Sequence, residues 1–235
     1  MRIVFVGDSL TEGIPGCSYV KLLQQRLPEH TLVNLGEGND TVISLHHRIT
    51  HLVLEGSFDL AFLWVGVNDV LRRFSSWTFR ASDVILRDPH AMHPGEFVAY
   101  YDATLDYLKA YARRIVAVSP LLKGEAPGNP WNRQLAAYAE DIRALTSDDP
   151  DIDYLDLRTP ILHYLEGRSV SNYLPPNALR VLFDALWLRT EKQIDARSRQ
   201  RGLQVTLDGV HLNSTGARLV ADEFERLIRA HAETI

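Results

Sequence analysis

The sequence of 235 residues has one cysteine, Cys17, so no disulfide bond can form within the chain. It has no Cys/His spacing typical of a zinc site, and no apolar run reaches the roughly 18 residues of a membrane-spanning helix. Basic residues are fewer than acidic ones: the chain has 25 lysines and arginines against 30 aspartates and glutamates, which gives a formal net charge of −5. These absences argue against a disulfide scaffold, a zinc protein, a membrane-spanning protein and a nucleic-acid-binding protein.

Three minor features receive simple interpretations. Cys17 is expected to lie buried in a first helix with Val20 and Leu23, although a nucleophilic role is the alternative. The densest basic group, at positions 197, 199 and 201, is expected to be a solvated helix end rather than a binding patch. A strand-like run follows Arg2 directly, without the pattern of a secretion signal. A cytoplasmic location is therefore the default, and a mature secreted form would look the same.

Five apolar runs of strand length alternate with segments of helical periodicity. The runs are rich in Val, Ile and Leu without strict alternation, which is typical of strands covered on both faces. Repeated strand–helix units favour a parallel sheet with right-handed crossovers. We therefore predict an α/β fold, a flavodoxin-like three-layer α/β/α sandwich with a five-stranded parallel sheet. The predicted strands are Ile3–Val6, Leu32–Leu35, Leu60–Val65, Ile115–Val118 and Ile152–Leu155.

The apolar residues of the helical segments are interpreted as core. Asn129-Pro130 is a good helix start, because proline is tolerated at the first helical position. The predicted helices carry Val20, Leu23 and Leu27; Val42, Leu45, Ile49 and Leu52; Phe97, Tyr101, Leu105, Leu108 and Ala112; Trp131, Leu135, Tyr138, Ile142 and Leu145; and Ala217, Val220, Ala221, Phe224, Leu227 and Ile228.

Residues 1–235 are predicted to form a single domain with insertions near 72–95 and 159–205. Long insertions in compact domains are often lids or binding loops, so both are interpreted as walls of a substrate site. The alternative is a packing or dimer contact. The first insertion carries Trp77 and Phe79; the second carries Tyr173, Pro175 and Pro176, followed by a helical pattern at Leu179, Leu182, Phe183, Leu186 and Trp187.

Polar segments end the first three apolar runs, and a fourth lies near the C-terminus. The first three are Gly7-Asp8-Ser9-Leu10, the segment 34–41 (Asn-Leu-Gly-Glu-Gly-Asn-Asp-Thr) and Gly66-Val67-Asn68-Asp69. The fourth, Asp208-Gly209-Val210-His211, is expected in a loop before the last helix. Because ligands bind at the carboxyl edge of an open parallel sheet, we expect these segments to meet there.

Ser9, His211 and Asp208 together suit nucleophilic catalysis. Serine is a weak nucleophile unless a base takes its proton, and a carboxylate can orient that base. A spacing of three residues lets Asp208 accept from one nitrogen of His211 while the other faces Ser9. Alone, Ser9 would suit a helix cap, and Asp208 with His211 a surface turn or a metal pair without an evident third ligand.

Acyl transfer also needs donors aimed at the developing oxyanion. The candidates are the Ser9 N–H, the backbone at Gly38 and Asn39, and the side-chain amide of Asn68. Each segment by itself would equally suit a turn, since Gly, Asn and Asp dominate turns.

On these motifs the chain resembles the SGNH hydrolases, also called the GDSL esterase/lipase superfamily, from Ile3 to about Ala221. The segments at 7–10, 66–69 and 208–212 match its nucleophile, Gly-x-Asn-Asp and Asp-x-x-His blocks in order. The resemblance implies a triad of Ser9, His211 and Asp208. It also implies an oxyanion hole formed by the Ser9 N–H, an N–H of the second block and the Asn68 amide.

The second block departs from the family pattern, which places glycine immediately before Asp-Thr. Aligning on Asp40-Thr41 puts Asn39 there, with Gly38 one residue earlier. Either Asn39 holds the same backbone shape, since asparagine tolerates left-handed conformations, or Gly38 supplies the flexibility in a shifted loop. Asn39 is slightly favoured as the source of the N–H.

The expected activity is that of a serine esterase that hydrolyses small acyl or acetyl esters through an acyl-enzyme on Ser9, with no metal and no organic cofactor. The resemblance implies a small-molecule ester substrate, such as an acetylated sugar or an acyl lipid. The alternatives are an acyltransferase or thioesterase with the same triad, and a non-catalytic carbohydrate-binding relative. The oligomeric state is left open.

Overall fold

The computed structural model describes residues 1–52, 56–74, 91, 93–147 and 149–233. Five parallel strands form one sheet in the order β2-β1-β3-β4-β5. This order is the flavodoxin-like one, so the predicted fold class is confirmed. The strands are β1 (Arg2–Gly7), β2 (Thr31–Gly36), β3 (Phe58–Trp64), β4 (Ala112–Val118) and β5 (Ile152–Leu155).

Ten helices are described, and they cover both faces of the sheet. Alternate residues of β1 enter two separate cores: Ile3 and Phe5 face one layer of helices, and Val4 and Val6 face the other. The helices are α1 (Ser9–Glu12), α2 (Tyr19–Arg26), α3 (Val42–His51), α4 (Val67–Phe74), α5 (Pro94–Lys109), α6 (Pro130–Thr146), α7 (Arg158–Leu165), α8 (Ala178–Trp187), α9 (Glu191–Gln200) and α10 (Ser214–Ala232).

Four local predictions are wrong. Leu52 is not part of the core, because it is exposed and follows the last residue of α3. Ala112 does not continue the third predicted helix; that helix ends at Lys109, and Ala112 pairs with Phe58 at the start of β4. Cys17 is buried as expected but precedes its helix, because the Ser18 side chain caps α2. Arg201 is not solvated, since its guanidinium lies 2.6 Å from the buried carboxylate of Asp184.

Most of the first predicted insertion lies outside the described residues, whereas the second is described. Trp77 and Phe79 of the first lie outside the described residues. The second contains α7, α8 and α9, and α7 and α9 contribute Ile161, Leu165 and Ile194 to the core. Among the described helices, none is long and apolar enough to cross a membrane.

Candidate active site

Ser9 lies immediately beyond the carboxyl end of β1, as the first residue of the short helix α1. The preceding Asp8 caps this helix, because its Oδ1 accepts a hydrogen bond from the Leu10 N–H at 2.9 Å. The helix ends after one turn at Gly13, which has φ 81°. A strand end followed by a single capped turn therefore holds Ser9 at the edge of the sheet.

His211 connects Ser9 with Asp208. Its Nε2 lies 3.0 Å from Ser9 Oγ, and its Nδ1 lies 2.8 Å from Asp208 Oδ2. The other oxygen, Asp208 Oδ1, accepts from the backbone N–H groups of His211 at 2.8 Å and Val210 at 3.1 Å. These contacts orient the imidazole with Nδ1–H toward the carboxylate, which leaves Nε2 to accept a proton from Ser9.

Burial and charge act in opposite directions on this pair. Burial disfavours ionised Asp208, but the charge and hydrogen bond of His211 outweigh it, so the Asp208 pKa lies below its ordinary value. Burial also disfavours protonated His211, but Asp208 outweighs it and raises the His211 pKa. The more distant carboxylates of Asp8 and Glu12 act in the same direction on His211. The site therefore stabilises an imidazolium, the species formed when His211 takes a proton.

Asp8 has a second, unusual property. Its Oδ2 is buried and has no hydrogen-bond partner among the described residues. Burial raises the Asp8 pKa to about 7, although the Leu10 hydrogen bond and the charge of His211 oppose the shift. Asp8, Asp208 and His211 therefore all have pKa values shifted from their ordinary ones.

The second polar segment joins β2 to α3. Within it Asn39 has φ 68°, the left-handed backbone considered for it from the sequence. Gly38 does not have a positive φ. It lies beside Glu12, whose carboxylate would be 3.0 Å from a Cβ at position 38. The shape needed before Asp40 is thus held by Asn39, and the identity of the N–H that faces the substrate stays a prediction.

Two side chains of the third polar segment (66–69) hold the second polar segment (34–41) in place. Asn68 Nδ2 donates to the carbonyl of Asp40 at 2.9 Å, and the Asp69 carboxylate accepts from the Val42 N–H at 3.1 Å. A side-chain amide carries two N–H donors, so the contact with Asp40 leaves one Asn68 hydrogen available. The loop and the amide are thereby fixed relative to each other.

Arg48 on α3 was not recognised from the sequence, yet it joins the ends of β1 and β2. Its guanidinium bonds the Asp40 carboxylate at 2.6 and 2.9 Å and donates to the carbonyl oxygens of Leu35 and Gly7 at 3.0 and 3.4 Å. A basic residue in the last turn of the helix that follows the motif was the available signal. Burial raises the Asp40 pKa despite this partner.

Glu125 was also not recognised, and it anchors the segment that leads to Asp208. Its buried carboxylate accepts from the N–H groups of Gln204, Val205 and Thr206 at 2.7 to 2.8 Å and from the Thr206 hydroxyl at 2.8 Å. Thr206 Oγ1 in turn accepts from the Gly209 N–H at 3.1 Å. One carboxylate therefore fixes the approach to the Asp208 loop.

Gly209 is the position in this loop where glycine is required. It has φ 89°, and a Cβ there would lie 2.3 Å from the Tyr173 carbonyl oxygen. Its own carbonyl accepts from the Gly124 N–H at 2.6 Å. The loop after β4 and the second insertion thus both pack against the Asp208–His211 segment.

These residues share a cavity of about 570 Å³. Much of its wall comes from the second insertion, which was predicted to form a substrate wall. The predicted site residues that line it are Ser9, Gly38, Asn39, Asn68, Asp208 and His211. The apolar wall includes Leu174, Pro175, Pro176, Leu179, Val181, Leu182 and Ala185.

The wall differs from the sequence-based expectation in two respects. The Tyr173 ring stacks on the Arg201 guanidinium, 4.7 Å away, and is not among the described residues that line the cavity. Phe183 and Trp187 are exposed and stack on each other, and they do not belong to this described lining either. Conversely, Trp131, assigned to the core, both packs against it and lines the cavity. Lys123, which the sequence analysis missed, lines the cavity beside Trp131.

The chain is similar to known proteins in sequence and in structure. The profile of the GDSL-like Lipase/Acylhydrolase family matches residues 5–219. No curated protein matches in a sequence search.

Similar solved structures include a catalytic mutant of Axe2, an acetylxylan esterase from Geobacillus stearothermophilus, with TM-score 0.68 and 18% identity over 96% of this chain and 92% of that one. The acetyl xylan esterase AlAXEase has TM-score 0.66 and 24% identity over 97% and 100%. LAE5, an α/β hydrolase from the metagenome of Lake Arreo, Spain, has TM-score 0.65 and 20% identity over 95% and 92%. At these identities the likeness establishes the shared fold.

Proposed function

Since the chain belongs to the GDSL-like lipase/acylhydrolase family and is a carboxylic ester hydrolase, we propose that it cleaves small acyl or acetyl esters through an acyl-enzyme on Ser9. The observation that carries the proposal is the continuous contact from Ser9 Oγ through His211 to Asp208, at 3.0 and 2.8 Å. In this arrangement the base is within reach of the proton that it removes.

In the first half-reaction, His211 Nε2 takes the proton of Ser9 Oγ as that oxygen attacks the ester carbonyl carbon. The carbonyl oxygen becomes an oxyanion, stabilised by the Ser9 N–H, the remaining Asn68 amide hydrogen and an N–H of the 38–39 segment. The oxyanion then collapses, the bond from carbon to the alcohol oxygen breaks, and His211 donates its proton to that alcohol.

In the second half-reaction, a water molecule attacks the acyl carbon while His211 takes one of its protons. The carbon–Ser9 bond breaks as the second oxyanion collapses, and the proton returns from His211 to Ser9 Oγ. The acid leaves and the enzyme is restored. Asp208 stays ionised throughout and stabilises the imidazolium at each stage, which its lowered pKa favours.

For the substrate class, we favour acetyl or short acyl esters of a sugar or lipid alcohol. Two structural neighbours are acetylxylan esterases, and the cavity has room for an acyl group together with part of an alcohol. Its wall of leucine and proline side chains suits the apolar faces of either partner.

Hydrolysis of p-nitrophenyl acetate, butyrate and octanoate tests the proposal, with Ser9→Ala as the comparison. We expect turnover by the native enzyme and a loss of at least about 1000-fold in Ser9→Ala, whose folding is checked by thermal unfolding. Mass spectrometry of the enzyme quenched during turnover should show the acyl group on Ser9. Turnover retained by a folded Ser9→Ala variant would refute the assignment of the nucleophile.

A further inference from the structure

Lys123 is a charged side chain in the cavity that the proposed mechanism does not use. It lies between β4 and α6, and only 3% of its surface is exposed. Its backbone is held on both sides, because its N–H donates to Asn132 Oδ1 at 2.9 Å and its carbonyl accepts from Asn129 Nδ2 at 2.8 Å. The start of α6 therefore fixes the point from which this side chain enters the cavity wall.

The ammonium group of Lys123 lacks an anionic partner among the described residues. Its Nζ lies 5.0 Å from the centre of the Trp131 ring, a contact that contributes some electrostatic stabilisation. Burial, with no opposing charge, lowers the Lys123 pKa to about 7. A buried ammonium without a counter-ion is costly, so an anion that enters the cavity gains an ion pair in a poorly solvated place.

The other charged groups of the cavity wall do not neutralise Lys123. The carboxylate of Asp208 is hydrogen-bonded to His211, and that of Glu12 lies beside Gly38 of the second polar segment. Burial alone accounts for the lowered Lys123 pKa, without a contribution from either carboxylate. In the described part of the cavity wall, Lys123 is thus a cation without an anionic partner.

We propose that Lys123 forms an anion subsite, and that the preferred substrates are esters that carry a carboxylate, ion-paired with Lys123 while the ester carbonyl lies at Ser9. This inference rests on the proposed esterase function and specifies its substrate class. A single ammonium suits a monoanion, and Glu12 elsewhere in the cavity wall disfavours a second negative charge. The carboxylate can belong to the acyl part or to the alcohol part of the ester, and both place the same charge in the cavity.

Matched pairs of esters test the subsite on each side. For the acyl side, p-nitrophenyl hemisuccinate is compared with neutral p-nitrophenyl valerate; for the alcohol side, 4-acetoxybenzoate is compared with 4-acetoxybenzamide. We expect kcat/KM to favour the anionic ester of at least one pair by about 10- to 100-fold at pH 6. Lys123→Met keeps the length and apolar stem of the side chain and should abolish this preference, while Lys123→Arg should retain part of it.

Lys21→Met is the matched control, because it removes the same charge from an exposed position on α2 and should leave the preference unchanged. The preference of the native enzyme should decline as the pH rises through about 7, because Lys123 then loses its proton. Protonation of His211 changes the reactivity of both esters of a pair and largely cancels in the ratio. Ionisation of Asp8, whose pKa is also raised to about 7, would disfavour the anionic ester over the same pH range. The comparison with Lys123→Met separates the two groups, because a decline caused by Asp8 would persist in that variant.

A preference that is absent from both pairs, or unchanged in a folded Lys123→Met, overturns the subsite while leaving the esterase assignment intact. If neither ester is turned over, the proposed function fails instead. Calorimetric binding of monomethyl succinate and methyl valerate to Ser9→Ala, with and without Lys123→Met, then decides on the subsite without turnover. Equal affinities for the two esters would overturn it, and tighter binding of the anion that requires Lys123 would support it.

Discussion

Replacement of Glu125 should destabilise the protein more than its position in a loop suggests. In Glu125→Ala, the Val205 N–H, the Thr206 N–H and the Thr206 hydroxyl lose an acceptor while buried. Each buried donor left without a partner costs about 1–3 kcal/mol, and entry of water recovers part of the sum. We therefore expect the free energy of unfolding to fall by about 3–5 kcal/mol.

Glu125→Gln should cost less, about 1–2 kcal/mol. The amide oxygen can still accept at the Oε1 position, but its NH₂ group then meets the Gln204 N–H, which now bonds Oε2. Urea unfolding measures both values. Glu140→Ala is the matched control, since Glu140 forms an exposed pair with Arg143 that contributes at most about 1 kcal/mol.

The effect should also reach the active site. Loss of the anchor loosens the segment that carries Asp208 and His211, so kcat/KM of the folded Glu125→Ala variant should fall by at least about 10-fold. The reasoning is refuted if Glu125→Ala unfolds within 1 kcal/mol of Glu140→Ala, a difference that one unsatisfied buried donor would exceed.

Three further predictions concern the site itself. Activity should fall as the pH drops through the His211 pKa, which lies above its ordinary value, because protonated His211 cannot accept a proton from Ser9. Asp208→Asn removes the charge that raises this pKa, so it should move the acidic limb of the pH–kcat/KM profile to lower pH. Asn39→Ala should lower the free energy of unfolding by about 1–2 kcal/mol, because alanine at φ 68° is strained, while Asn39→Gly should be nearly neutral in urea unfolding. Asn68→Ala should reduce kcat by about 100- to 1000-fold with a smaller effect on KM in steady-state assays.

Each of these has a contrary outcome. A pH limb unmoved by Asp208→Asn would show that another group, such as Asp8, controls it. An Asn39→Gly variant as unstable as Asn39→Ala would mean that the side chain, not the backbone, matters. A loss confined to KM would make Asn68 a substrate-positioning residue.

Local patterns in the sequence were sufficient to predict the sheet. The five apolar runs became five parallel strands, because a central strand such as β1 needs apolar residues on both faces. The ends of helices and strands were harder to predict. Ala112 suits a helix or a strand, and only its pairing with Phe58 decides between them. The contacts that decide such positions come from distant parts of the chain.

The groups that hold the site could not be predicted in the same way. Arg48 and Glu125 form hydrogen bonds with backbone groups of other segments. Every residue has such groups, so the sequence does not indicate which of them a side chain will contact. Lys123 follows β4 outside the recognised motifs, and only the fold places it in the cavity wall. Asn39 was the exception, because the preference of asparagine for left-handed backbone is a local property.

The contact between Ser9 and His211 joins residues 202 positions apart. During synthesis, the strand that presents Ser9 leaves the ribosome first, and its partner emerges only after the rest of the sheet. A nascent chain therefore holds an unactivated serine until the segment before α10 docks on the completed sheet. The appearance of esterase activity during refolding would report this long-range closure, separately from the earlier formation of helices.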